Sequence, residues 1–145
     1  MLGVSDTVDI DRPVDDVFGA LADPNVQITY DRDQFRAVEQ LTPGTIGKGT
    51  RFRGRFKGMG WREFSFEEFE QNRLIEVGVR LPFGAARHRF EFSSVGDHSQ
   101  LAQKIEVHPN LLGRILWPLI IRRMMEDRVR TLNGLVKRYV EGRGP

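Results

Sequence analysis

Residues 111 to 141, LLGRILWPLIIRRMMEDRVRTLNGLVKRYVE, are the only stretch of this chain long enough to hold a dominant helix, and they restrict the fold more than any other feature. Ile121, Met125, Val129, Leu132, Val136 and Tyr139 recur at spacings of three and four, so a helix here carries one apolar stripe, while Arg122, Glu126, Arg130 and Lys137 fall off it. Such a stripe must be covered by a partner surface. Upstream the chain offers mainly short segments that alternate apolar and polar residues, the period of half-buried strands. The expected fold class is therefore α+β, with a curved seven-stranded antiparallel sheet around the long C-terminal helix. Two short helices follow strand one, and a cavity is expected between sheet and helix.

At 145 residues the chain reads as a single domain, 1–145, long enough to bury one core. With 39% hydrophobic and 29% charged residues it falls among ordinary globular sequences. MLGVSDTVDIDRP lacks the basic start and apolar block of a targeting signal, and the longest apolar run, Ile115 to Ile121, contains a proline and is far shorter than the ~20 residues needed to span a bilayer. The expected location is the cytoplasm. The absence of cysteine removes disulfides and thiolate chemistry.

Val4, Val8 and Ile10 alternate with Ser5, Thr7, Asp9 and Asp11 in a first strand, with Asp6 the one polar residue on the apolar side. Asp11 or Arg12 is expected to cap a short helix whose first residue is Pro13, and Asp23-Pro24-Asn25 to open a second that ends near Tyr30. From Gln34 onward the pattern is all strand. Phe52, Gly54 and Phe56 share one face and Arg51, Arg53 and Arg55 the other, and a Gly58-Met59-Gly60 loop would set Phe52 opposite Phe66, Arg55 opposite Glu63 and Arg51 opposite Glu67. Ile75, Val77, Val79 and Leu81 point inward from the next strand. A turn at Gly96-Asp97 sets Phe92 opposite Leu101, Phe90 opposite Gln103 and His88 opposite Ile105. Phe69 beside Glu68 indicates a bulge near that strand end.

The stretch VDIDRPVDDVFGALADP, the loop and strand GTIGKGTRFRG, and the long terminal helix together resemble the START-related (SRPBCC) superfamily of helix-grip proteins, which includes polyketide cyclases and dehydrases, lipid-transfer domains and coenzyme-Q-binding proteins. The resemblance covers nearly the whole chain and is specific to a fold, not to a reaction. It implies a hydrophobic ligand between sheet and helix. Tyr30 stands close to the place where the family commonly carries a tryptophan.

The expected lining of that space is Tyr30, Phe52, Phe56, Phe64, Phe66, Val77, Val79, His88, Phe90, Phe92, Gln103, Ile105 and Trp117. Pockets of this kind are largely apolar with a few polar groups; the alternative is a solid aromatic core. His88 and Gln103 are the two polar side chains that alternation turns inward on the last hairpin, able to orient a carbonyl or hydroxyl. His88 is the candidate general acid or base, against the alternative of a core histidine satisfied by one hydrogen bond. Glu91 and Glu106 face away, so the register supplies His88 with no carboxylate.

Pro118 is read as the first turn of the main helix, leaving Leu111 to Trp117 as a separate apolar segment that closes the cavity mouth or, with Arg114, Arg122 and Arg123, touches a membrane surface transiently. Gly134 inside the helix suggests close approach of a neighbouring element. Residues 109 to 145 carry eight Lys or Arg against three Asp or Glu, a balance of +5 that leaves −3 for residues 1 to 108. A solvated helix face accounts for this, and no nucleic acid is expected, because alternation sends the arginines and phenylalanines of Arg51 to Lys57 to opposite faces. The spacing of His88, His98 and His108 resembles no metal site, Gly44 to Thr50 fails the phosphate-loop pattern, and no serine occupies a nucleophile elbow. No cofactor is expected.

Three functions remain open: a monomeric or homodimeric carrier of a small hydrophobic molecule (lipid, quinone or polyketide-like), a cyclase or dehydrase using His88, and a non-catalytic interaction module using the basic helix.

Overall fold

Alternation of apolar and charged residues builds seven strands, and a computed structural model describing residues 2–142 arranges them in one antiparallel sheet. The order along the chain is β1 (Leu2–Ile10), α1 (Val14–Ala22), α2 (Pro24–Tyr30), β2 (Phe35–Gln40), β3 (Arg51–Phe56), β4 (Gly60–Glu70), β5 (Leu74–Leu81), β6 (Gly84–Val95), β7 (His98–Pro109), α3 (Leu111–Leu116) and α4 (Arg122–Glu141). Across the sheet it is β1-β7-β6-β5-β4-β3-β2. Consecutive hairpins thus lead from β2 to β7, and β1 closes the far edge. This is the helix-grip architecture: α4 packs on β1 and β7, while α1 and α2 fill one end.

The short helices begin where backbone chemistry permits. Pro13, expected inside α1, is its cap residue: its carbonyl accepts from the amides of Asp16 and Val17, and no side chain caps the helix. Asp23 caps α2, its carboxylate accepting from the Asn25 amide at 2.9 Å, with Pro24 in the first turn.

The expected β6–β7 register is the observed one, with Phe92 opposite Leu101, Phe90 opposite Gln103 and His88 opposite Ile105. Between β3 and β4 the expected register is off by two. Gly60 already pairs with Phe56, so Phe52 faces Phe64, Arg53 faces Glu63 and Arg55 faces Trp61. The reason is the turn: Gly58 and Gly60 both adopt positive φ (76° and 68°), and the Met59 amide donates to the Phe56 carbonyl, tightening the loop to Lys57-Gly58-Met59. A slip of two preserves side-chain parity, so the phenylalanines stay inside and the arginines outside. The ion pairs rearrange accordingly: Arg51 reaches Glu63 at 2.7 Å and Arg53 pairs with Glu39 on β2. The bulge falls between Phe66 and Glu68, turning Phe69 inward against Phe18 and Phe66 and sending Glu68 out to Lys48.

Leu111 to Glu141 is continuously helical. Pro118 does not divide it as expected; the helix instead widens into a π turn over Trp117–Ile121, where the Arg122 amide donates to the Trp117 carbonyl. Proline removes one amide from the ladder, and the five-residue bond absorbs the mismatch. Ile121, Met125, Val129, Leu132 and Val136 of the stripe are buried, whereas Tyr139 is half-buried and Val140 beside it is buried instead. The reading of Gly134 fails: a Cβ there would meet nothing within 4 Å. Gly113 is the position of close approach, since a Cβ would stand 2.1 Å from the Phe83 carbonyl in the β5–β6 turn. No helix among the described residues is long and apolar enough to cross a membrane.

Candidate functional site

The inner face of the sheet is largely apolar, and several of its polar side chains form one connected line. His88 on β6 stacks on Phe90, ring centroids 4.2 Å apart, and its Nε2 lies 2.6 Å from Oε1 of Gln103 on β7. Gln103 is 1% exposed and donates from Nε2 to Oδ1 of Asn133 at 2.6 Å and to the Val129 carbonyl at 3.4 Å. Asn133, also 1% exposed, donates from Nδ2 to Oδ2 of Asp6 on β1 at 2.9 Å. Four side chains from β6, β7, α4 and β1 thus form one hydrogen-bonded line through the core. Burying two uncharged amides in such a place is tolerable only because each is satisfied.

Beside this line, Arg128 on α4 forms a bidentate pair with Asp31 at the end of α2, at 2.9 and 2.6 Å, and Asp31 is 1% exposed. Burial pushes the pKa of His88 down to about 3; the hydrogen bond to Gln103 opposes the shift and the positive charge of Arg128 adds to it. The imidazole is therefore neutral at physiological pH. A carboxylate does reach His88, but only through two amides, from a strand that hairpin register alone does not connect to it.

The expected lining residues divide into two groups. Phe52, Phe64, Phe66, Phe90, Phe92, Gln103 and Ile105 are buried. The rings meet one another: Phe52 stacks on Phe64 at 5.2 Å and lies 5.1 Å from Phe66, while Phe92 meets Phe18 edge-on at 5.0 Å. Phe56, Val77, Val79, His88, Trp117 and Tyr30 are partly exposed. Phe56 stacks on Phe35, and Trp117 packs against the cluster that includes Ile121 and Met125. Tyr30 lies against Tyr139, ring centroids 4.6 Å apart, and donates its hydroxyl to the Ala20 carbonyl; burial raises its pKa well above the ordinary phenol value. The inner face is thus filled by aromatic rings toward β3 and β4, and accessible at Val77, Val79 and His88 on β5 and β6, strands that α4 does not cover.

Two depressions, of about 500 and 240 Å³, lie on the opposite, solvent face of the sheet. The first is walled by charges, among them Lys48, Arg51, Glu67, Glu68 and Arg87, and the second by Gly3, Ser5, Lys104 and Glu106. Neither suits an apolar molecule. Among the described residues no group of three or more His, Asp or Glu could hold a metal ion.

Sequence reasoning missed Asn133, Arg128 and Asp31 as parts of the site. A signal for Asn133 existed: it stands four residues after Val129, on the stripe that meets the sheet, and Asp6 breaks the apolar alternation of β1. Two polar residues at core positions on facing elements call for each other. Arg128 and Asp31 carried no such signal, because each reads as an ordinary surface charge.

The family described as polyketide cyclase/dehydrase and lipid transport matches residues 1–141. No curated protein matches by sequence. Among solved structures, a protein of Thermus thermophilus is similar with TM-score 0.77 and 16% identity, covering 99% of this chain and 100% of that one. The Aha1 dimer of Colwellia psychrerythraea is similar with TM-score 0.74 and 12% identity, covering 99% and 100%. A norcoclaurine synthase point mutant of Thalictrum flavum, in complex with a transition-state analogue, gives TM-score 0.67 and 17% identity over 93% of each chain. At these identities the likeness is one of fold.

Proposed function

Because the chain belongs to the polyketide cyclase/dehydrase and lipid transport family, we propose that it binds a small hydrophobic molecule, a lipid, quinone or polyketide-like compound, against the inner face of its sheet, and that it carries this molecule without transforming it. One observation carries the reading: Val77, Val79 and His88 keep partial exposure on a face whose other apolar side chains are mostly buried. An apolar floor with one convergent polar group is the usual composition of a small-molecule site. Carriage stands ahead of catalysis because a neutral imidazole whose conjugate acid titrates near 3 is a weak proton acceptor, far from the pKa near operating pH that general acid–base work favours. Native mass spectrometry of the protein purified from cells should show a co-purifying apolar ligand, and Val79→Trp, which fills the opening, should expel it while circular dichroism stays unchanged. A ligand-free protein that also ignores hydrophobic dyes would remove the proposal. If His88→Ala abolished turnover of a poly-keto substrate without loss of fold, the cyclase alternative would replace it.

A second reading concerns where such a carrier collects its cargo. Leu111, Leu112, Ile115, Leu119, Ile120 and Met124 are exposed, Leu111 at 75% and Leu119 at 72%, on the helical segment that also exposes Arg114, Arg122 and Arg123. Residues 109 to 125 contain no Asp or Glu. Apolar side chains rimmed by cations match an anionic lipid surface, whereas a second copy on the same face would bring like charges together. Sedimentation with phosphatidylserine vesicles should be salt-sensitive and lost in Arg122→Glu/Arg123→Glu. Equal sedimentation with neutral vesicles would refute the electrostatic part.

A further inference from the structure

The line of amides ending at His88 has a direction. Its two ends are fixed by groups that only accept: the Val129 carbonyl, which receives Gln103 Nε2, and the Asp6 carboxylate, which receives Asn133 Nδ2. Asn133 must then present Oδ1 to Gln103 Nε2, as it does, and Gln103 must present Oε1 to the imidazole. An amide oxygen donates nothing, so the proton between the two belongs to Nε2 of His88. In the neutral ring this leaves Nδ1 bare, an acceptor.

Nδ1 has no hydrogen-bond partner among the described residues. Among the described residues every fully buried side-chain nitrogen or oxygen is hydrogen-bonded. Nδ1 is therefore not fully buried, consistent with the partial exposure of the ring and of Val77, its partner across β5 and β6, and Val79. Arg128, the cation nearby, is already engaged by Asp31 through both terminal nitrogens.

Resting on the ligand-binding reading above, we infer that the natural occupant carries a hydrogen-bond donor, a hydroxyl or an N–H on an otherwise apolar body, and donates it to Nδ1 of His88. Alcohols, phenols, enols and reduced quinols meet this requirement; ethers, esters and oxidised quinones, which only accept, leave Nδ1 facing another lone pair. Asp6, Asn133 and Gln103 are positioning residues here: they touch no ligand and set which ring nitrogen is bare. A site built to bond a polar group rejects the analogue lacking it, because the stranded group loses its water without replacement.

The test uses the full chain and three matched pairs, 1-naphthol with its methyl ether, farnesol with its methyl ether, and a short-chain ubiquinol with its ubiquinone, in calorimetric titration. Donors should bind roughly tenfold tighter than their partners. His88→Phe, which keeps a ring stacked on Phe90, should erase the difference between donor and acceptor-only partner within each pair. Independently of any variant, imidazole nitrogen NMR of the wild-type protein near neutral pH should place the His88 proton on Nε2. A proton on Nδ1, or equal affinity within pairs that do bind, overturns this inference and leaves the ligand-binding reading standing. Failure of every compound to bind overturns both.

Discussion

Acidification should destabilise this protein through His88, by an amount the site itself sets. In the unfolded chain a histidine titrates near 6.5, whereas in the fold His88 is held down to about 3, chiefly by burial. Between those values the unfolded state binds one proton more than the folded state, so stability rises with pH across the window and is lost as pH falls below about 6.5. Each pH unit within the window corresponds to about 1.4 kcal/mol. Moving from about pH 7.5 to about pH 5 crosses roughly 1.5 units of it, so the loss is at most about 2 kcal/mol, water at the exposed ring edge reducing it. Against a typical urea slope of about 2 kcal/mol/M, the unfolding midpoint should drop by roughly 1 M. Glu70 and Glu141, whose pKa values are lowered by Arg73 and by the Asp11 amide respectively, also lose their contributions in acid, but chiefly below the carboxylate value of 4.5. The control is His88→Gln, which does not titrate and still faces Gln103. Urea titrations of both proteins at both pH values isolate the term: the wild type should lose about 2 kcal/mol more than the variant. Equal losses would mean that the folded ring accepts its proton as readily as the unfolded one, and the account of a buried neutral imidazole would fall.

The remaining predictions concern packing. Gly134→Ala should stabilise the protein by about 0.5–1 kcal/mol in thermal or urea denaturation, because the new methyl group enters open space on a helix. Gly113→Ala should do the reverse by roughly 1–3 kcal/mol, since its methyl group collides with the Phe83 backbone. Arg128→Met should destabilise by about 3 kcal/mol by stranding the Asp31 carboxylate, and adding Asp31→Asn should recover part of that loss in a double-mutant cycle.

How far the fold could be read in advance depended on the range of the interaction concerned. Side-chain parity in a strand is a local property with a period of two, so the inward set of Phe52, Phe64, Phe66, Phe90 and Phe92 was legible even where the β3–β4 register was off by a whole pleat. The Gly96-Asp97 turn was legible because its length alone sets Phe90 opposite Gln103 and His88 opposite Ile105. The Lys57-Gly58-Met59 turn was not, because two glycines admitted more than one loop. Gly134 invited a packing explanation that only neighbouring atoms could refute.

By itself, then, the sequence determined the architecture: one amphipathic helix that needed a sheet, strands whose alternation assigned their faces, and a bulge marked by Glu68 and Phe69. These follow from backbone periodicity, which neighbouring residues carry among themselves. Only the tertiary structure decided that the phenylalanines meet, that Val77, Val79 and His88 keep partial exposure, and that His88 joins a hydrogen-bonded line of buried amides beside an Arg–Asp pair. Those properties depend on Asp6 and Asn133, 127 residues apart, and on Asp31 and Arg128, 97 apart. Desolvation and hydrogen-bond direction are set by whatever surrounds a group in space, and no local pattern encodes that.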